Sequence, residues 1–172
     1  MSEITLTLES GLALVGKSNF DDLIAKYQNM VYRTAWRMLG DSAEAEDISQ
    51  EVFLKLHSRL VEFEQQPNPS AWLYRVTVNQ SLDRIRRRKP QSEPEDLASN
   101  AISPEASAIR QQQLDRLARL LQRLAPQERA ALILRDLEGL NSREVGEILN
   151  VSEETVRSAI FRAKEKLRQW MN

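Results

Sequence analysis

From Lys89 to Glu105 the chain reads KPQSEPEDLASNAISPE, with three prolines, four acidic residues and few large apolar side chains. A segment of that composition buries too little apolar surface to offset the entropy lost on ordering it. Any folded core must therefore be built on either side of it. On both sides apolar residues recur at three- and four-residue steps, the helical spacing. The length of 172 residues suits one domain or two small ones, since single domains commonly run about 100 to 150 residues. Only 5 glycines and 6 prolines are present, so long helices meet few breakers. The expectation is an all-α fold with two small helical domains joined by a flexible acidic linker. The expected limits are a tail at 1–18, a first domain at 19–89, a linker at 90–104 and a second domain at 105–172.

With no cysteine and a single histidine, His57, disulfides, thiolate zinc sites and a Ser-His or Cys-His catalytic pair are largely excluded. No catalytic residue, metal or cofactor is expected, and the chain reads as a non-enzyme. His57 reads as a helix-end residue. No apolar run reaches the roughly 20 residues of a membrane span. The start MSEITLTLESGLALVG lacks the basic flank of a signal peptide, so the cytoplasm is the expected location. The formal net charge of −1 hides local order. Arg84, Arg86, Arg87, Arg88 and Lys89 form one basic block. Arg157, Arg162, Lys164, Lys166 and Arg168 form a second, and the acidic stretch lies between them.

In the first half, Phe20, Leu23, Ile24, Tyr27, Val31, Ala35 and Met38 mark one helix ending at Gly40, the usual residue past a helix C-terminus. Asp41 or Ser42 caps the next helix, which buries Ala45, Ile48, Val52 and Leu56. A polar loop, EFEQQPNPS, separates it from a third helix that starts near Ser70 and carries Ala71, Tyr74, Val78, Leu82 and Ile85 inward. Upstream of residue 19, the alternating Ile4, Leu6 and Leu8 would suit a strand. An unpaired strand is marginal, so a loose tail is the better reading. In the second half a helix from about Pro104 carries Leu114, Leu117, Leu120, Leu121 and Leu124. Pro126 fits a first helical turn, and Ala130, Ile133, Leu134 and Leu137 lead to Gly139.

The segment LNSREVGEILNVSEETVRSAIFRAKEKL has the grammar of a helix-turn-helix. Asn141 with Glu144 makes a capping box. Gly146 is small where a second helix must approach, Asn150 tolerates a left-handed turn, and Ser152 caps the last helix. At about 100° per residue, Val156, Ile160, Ala163, Leu167 and Trp170 share one buried stripe. Phe161 lies about 140° from it, on the face of Ser158, Arg162 and Glu165, with Arg157 near its edge. An isolated surface phenylalanine is ordinary. Beside a serine and two arginines, however, it suits a helix lying in a major groove, where arginine pairs with guanine and phenylalanine meets a thymine methyl.

Two further faces stand out. In DSAEAEDISQEVFLKL the residues Asp47, Gln50, Glu51 and Leu54 share the outer face of a helix. This is either a solvated acidic surface or a docking site for a basic, partly apolar protein helix. In SAWLYRVTVNQSLDRIRRRK the outer line holds Trp72, Val76, Asn79, Asp83 and Arg86 and ends in the arginine run. It resembles a single-strand platform with stacking, base-edge and phosphate contacts, although Trp72 taken alone reads as core.

AEDISQEVFLKL, PSAWLYRVTVNQSLDRIRRR and LAPQERAALILRDLEGLNSREVGEILNVSEETVRSAIFRAKEKLR, in that order, resemble a bacterial RNA polymerase sigma factor of the extracytoplasmic-function (ECF) group, from about Phe20 to Leu167. The resemblance implies two domains, sigma-2 and sigma-4, bound across core RNA polymerase, and hence an alternative sigma factor that directs promoter recognition, melting and initiation. Asp47, Gln50, Glu51 and Leu54 would dock on the clamp helices of the large catalytic subunit. The loop before Ser70 together with Trp72, Arg75, Asn79, Asp83, Arg86, Arg87 and Arg88 would capture the minus-ten element. Thr155, Arg157, Ser158, Phe161 and Arg162 would read the minus-thirty-five element in duplex form. The linker would thread toward the active-site channel. The flap of the other large subunit, promoter DNA and an anti-sigma factor are the further partners implied. Family members often carry glycine where this chain has Glu154 and Asn150, alanine at Gly146 and a basic residue at Ala159. Glu154 places negative charge near phosphate and Ala159 removes a phosphate contact, so weaker or altered minus-thirty-five binding is expected.

Two rivals remain at the level of sequence. One is a helix-turn-helix regulator that acts without forming holoenzyme, which leaves the acidic face and the tryptophan–arginine helix unexplained. The other is an all-α hydrolase holding Mg²⁺ through Glu44, Asp47 and Glu51, which needs acids from a facing helix. The neighbouring helices offer only Asp21, Asp22 and Asp83.

Overall fold

The computed structural model describes the backbone of residues 2–88 and 105–171, and the side chains of residues 20–88, 112, 113 and 115–171. The stretch expected to be a linker lies outside the described residues. The chain adopts the expected all-α architecture, with no strand among the described residues. The first lobe comprises α1 (Ser2–Leu39), α2 (Ser42–Ser58), α3 (Leu60–Glu64) and α4 (Pro69–Arg87). The second comprises α5 (Glu105–Gln122), α6 (Pro126–Leu132) running into a π turn (Ile133–Leu137), α7 (Ser142–Leu149) and α8 (Glu153–Met171).

α1 ends where the sequence places its end. Gly40 takes φ 70°, the left-handed conformation that glycine adopts without steric cost, and the Asp41 carboxylate then caps α2 by accepting from the Glu44 N–H at 2.8 Å. The start of α1 differs from expectation, because the backbone is helical from Ser2 and not from the neighbourhood of Phe20. Residues 2–19 hold no proline. A helix already nucleated by the packed segment from Tyr27 to Leu39 extends at one hydrogen bond per added residue.

The stretch before α4 is also more ordered than a polar loop. Phe63 is the one large apolar residue in EFEQQPNPS. It is buried on α3, 6.2 Å from the Tyr27 ring and 5.5 Å from the Trp72 ring, both edge-on. Such pairs add about 0.5–1.5 kcal/mol beyond area burial. The remaining loop is short, and Asn68 caps α4 by accepting from the Ala71 N–H at 3.1 Å.

The inward lines read from the sequence form the core. Val31, Ala35, Met38 and Leu39 meet Ala45, Ile48, Val52 and Leu56 and, from α4, Leu73 and Val78. In the second lobe Leu121, Ile133, Leu134, Val145, Val156 and Ala163 are buried together. Fully burying one such aliphatic side chain contributes about 1.5–3 kcal/mol. His57, in the last turn of α2, packs edge-on against Phe20 at 4.9 Å, consistent with a helix-end role.

The two lobes touch through polar groups gathered at the C-terminal end of α1. Helix ends leave carbonyls without intrahelical partners, and here side chains from elsewhere supply them. Gln122 Nε2 donates to the Arg37 carbonyl at 3.2 Å, Arg129 to the Met38 carbonyl, and Arg88 to the Leu39 carbonyl at 3.2 Å. Arg129 is almost fully buried and also donates to the Gln122 side chain (2.6 Å), the Gln122 carbonyl (2.8 Å) and the Leu124 carbonyl (3.1 Å). Burial, reinforced by the Arg88 charge, lowers its pKa to about 10, so it stays charged at neutral pH. Nearby, the Glu138 carboxylate of the second lobe accepts from Arg37 and, at 2.9 Å, from the Tyr74 hydroxyl of the first.

Candidate nucleic-acid interface

The helix-turn-helix is built as its sequence grammar implies. Asn141 Oδ1 accepts from the Glu144 N–H at 3.0 Å while Glu144 Oε2 accepts from the Asn141 N–H at 2.7 Å, a complete capping box. Asn150 closes α7 at φ 56°, ψ 47°. A Cβ on Gly146 would lie 2.7 Å from the Val151 carbonyl oxygen, so any side chain there would require this turn to shift. Ser152 Oγ accepts from the Thr155 N–H at 3.1 Å and starts α8.

On α8, Val156, Ile160 and Ala163 are buried, with Leu167 and Trp170 packed partly against the core. The Arg123 guanidinium lies 4.3 Å from the Trp170 ring. Phe161 is 70% exposed, and Thr155, Arg157, Ser158 and Arg162 are exposed on the same helix. Glu154 is exposed there as well. Ala159 is not, being only 6% exposed. Its short side chain packs at the margin of the core. It lies about 60° from the centre of the buried stripe, within an apolar band more than about 100° wide. The arginines differ in freedom. Arg157 is paired with Glu153 at 2.7 Å, one turn back. Arg162 Nε donates to Glu128 Oε1 at 3.2 Å, and Lys166 Nζ donates to Glu128 Oε2 at 2.7 Å. Glu128 was not anticipated as part of this surface, although its place in the first turn of α6, three residues after Ala125, is where an acid is favoured.

Along α4, Arg75, Asn79, Arg86 and Arg87 are exposed. Trp72 is half-buried against Phe63, Asp83 pairs with Arg86 along the helix, and Arg75 Nη2 donates to the Glu147 carbonyl of α7 at 3.1 Å. Arg88 points elsewhere, bonding Glu44 and the Leu39 carbonyl at the α1–α2 corner. Burial lowers its pKa and the nearby Asp41 charge opposes that shift.

On α2, Asp47, Gln50 and Glu51 are exposed, and Leu54 is 70% exposed. The acids are not solvated alone. Arg84 of α4 reaches Glu51 at 3.1 Å and Asp47 at 3.8 Å, and Gln80 donates to Glu51 at 3.1 Å. Glu44 is held by Arg88, so it does not converge with Asp47 and Glu51 on one ion. No group of three or more potential metal ligands occurs among the described residues. No described helix is long and apolar enough to cross a membrane.

Family models match two parts of the chain, sigma-70 region 2 at residues 23–91 and sigma-70 region 4 at residues 114–167. The chain is 29% identical over 163 residues to the ECF RNA polymerase sigma factor SigW of Bacillus subtilis, covering 87% of each. It is 31% identical over 164 residues to the RNA polymerase sigma-H factor of Pseudomonas aeruginosa, covering 88% of this chain and 85% of that one. Among solved structures, it resembles the sigma factor RpoE from Bartonella quintana, crystallised with the anti-sigma factor NepR. The TM-score is 0.70 at 19% identity, over 89% of this chain and 96% of that one.

Proposed function

Since the chain belongs to the sigma-70 family, in its ECF group, and is an alternative sigma factor directing transcription initiation, we propose how its surfaces divide that work. The first lobe docks on the clamp helices of core RNA polymerase through Asp47, Gln50, Glu51 and Leu54. Leucine supplies the apolar centre and the carboxylates the charge that steers a basic partner. The outer line of α4, chiefly Arg75, Asn79, Arg86 and Arg87 with the Trp72 edge, takes the minus-ten strand. Exposed amide and guanidinium groups there can meet bases and phosphates. Arg88 serves the fold. In the second lobe, which lies at the flap of the other large subunit, α8 enters the major groove of the minus-thirty-five element with Thr155, Arg157, Ser158, Phe161 and Arg162. The protein acts as a binding factor without catalytic residues of its own.

The observation that carries this reading is that three separate exposed faces, each with its own chemistry, lie on the two matched regions: acid with leucine, amide with arginine, and phenylalanine with arginine. A helix-turn-helix regulator working alone would need only the last. The test is reconstitution of the full chain with bacterial core RNA polymerase, followed by sequencing of the transcripts made. Promoter-specific starts that depend on the added chain are expected, and failure to co-purify with core would defeat the reading. An anti-sigma factor is the proposed regulator, by analogy with the relative crystallised with one. A protein that covers the α2 acidic face would compete with core for it.

A further inference from the structure

Glu128 is a carboxylate placed beneath the open face of α8. Its side chain is 8% exposed, yet both of its oxygens are used, Oε1 by Arg162 at 3.2 Å and Oε2 by Lys166 at 2.7 Å. A carboxylate removed from water to that degree is costly unless paired and hydrogen-bonded, and α8 supplies two cations one turn apart. The geometry at Arg162 matters most. Glu128 takes the Nε edge, and the two Nη groups have no other partner among the described residues. Those groups form the fork that meets a guanine edge or a phosphate. Arg157, by contrast, gives an Nη group to Glu153.

We propose that Glu128 is a positioning residue for duplex recognition, gripping Arg162 from below so that its guanidinium fork is presented in one orientation beside Phe161, while cancelling one of the two positive charges of Arg162 and Lys166. This rests on the reading of α8 as the minus-thirty-five helix. An arginine left free on a surface carries large rotamer entropy and is attracted to any phosphate. Held by Nε, it has fewer orientations to lose on meeting one base pair. The carboxylate thus favours sequence-specific contact over indiscriminate attraction.

The experiment uses the full chain assembled with core RNA polymerase, on a promoter mapped from its own transcripts and on the same DNA with the minus-thirty-five bases scrambled. Open-complex formation is measured on both over a series of KCl concentrations. Glu128→Gln should reduce the ratio between the two promoters about tenfold, the size of a lost base contact. Binding to the scrambled DNA should rise, and the salt slope should steepen by up to about one unit as a charge is released. A purely structural defect would instead lower binding to both DNAs. Should Glu128→Gln fold poorly, the charge-balanced Glu128→Gln/Lys166→Met chain, in which Arg162 also lacks its anchor, should show the same loss of discrimination. Arg162→Ala should lose discrimination to a similar extent, and adding Glu128→Gln to it should change nothing further. If Arg162→Ala loses discrimination while both Glu128 variants retain it, the positioning role is overturned and the reading of α8 survives. If Arg162→Ala has no effect, the role of Arg162 in duplex reading and the proposal fall together.

Discussion

At φ 56° and ψ 47°, Asn150 holds a backbone conformation that costs most side chains about 1–2 kcal/mol. Asn150→Ala should lower stability by about 1 kcal/mol, while Asn150→Gly should be close to neutral; thermal melts of the two variants check this. Phe161 belongs to the opposite class, exposed and outside the core. Phe161→Ala should leave the melting temperature unchanged but weaken duplex promoter binding by about 1 kcal/mol, the lower end of what a lost base contact costs. A footprint of the holoenzyme at the minus-thirty-five element measures it. Both residues were legible in the sequence, Asn150 because few residue types tolerate a left-handed turn, and Phe161 because angular arithmetic set it off the stripe. Ala159 was not, because a small residue at the margin of an apolar band carries no signal of its own. Glu128 was not, because its partners lie 34 and 38 positions away.

Between elements, ion pairs tie surfaces that the sequence presents separately. Arg84 joins the outer face of α2 to α4, so the proposed polymerase-docking acids are already partly compensated in the free chain. Asp47→Lys with Glu51→Lys should weaken core binding by at least tenfold in a competition assay. Stability should fall by only about 1 kcal/mol, because exposed pairs contribute little. At the α6–α8 junction the effect depends on pH. Burial raises the Glu128 pKa, but hydrogen bonds and charge from Lys166 and Arg162 outweigh it, and the net shift is below the usual 4.5. A carboxylate with a depressed folded pKa stabilises above its unfolded value and loses that contribution as pH falls through the folded one. Melts from pH 7 down to pH 3 should therefore show a steeper fall below about 4.5 in the parent chain than in Glu128→Gln. The helices themselves were legible because caps and apolar lines agree, as at Asp41, Asn141 and Ser152. α3 was missed because five residues with one inward Phe63 are too few to show a period.

Over the whole molecule, the division into two lobes followed from the proline-rich acidic stretch, but their contact did not. Part of it runs through Arg37, Tyr74 and Glu138, which are 101 and 64 positions apart along the chain where they bond, and no local pattern reports such pairs. Glu138→Ala should strand Arg37 and the Tyr74 hydroxyl in a half-buried site, costing about 1–3 kcal/mol. It should also enlarge the radius of gyration in small-angle scattering, and an unchanged radius would count against the contact in solution. Burial and the Glu138 charge raise the Tyr74 pKa above 10. The stabilisation from this group is therefore intact below the ordinary tyrosine value and declines only as alkali passes it.

Arg129 and Gln122 grip the last carbonyls of α1 directly, so the two lobes share atoms within hydrogen-bonding reach. On B-form DNA, elements centred at minus ten and minus thirty-five lie about 85 Å apart at 3.4 Å per base pair. On the proposed assignment of lobes to elements, seating the two lobes on sites that far apart would separate Gln122 and Arg129 from the α1 terminus, and Glu138 from Arg37 and Tyr74. The same few side chains that hold the resting molecule together thus set how readily it unfurls along a template.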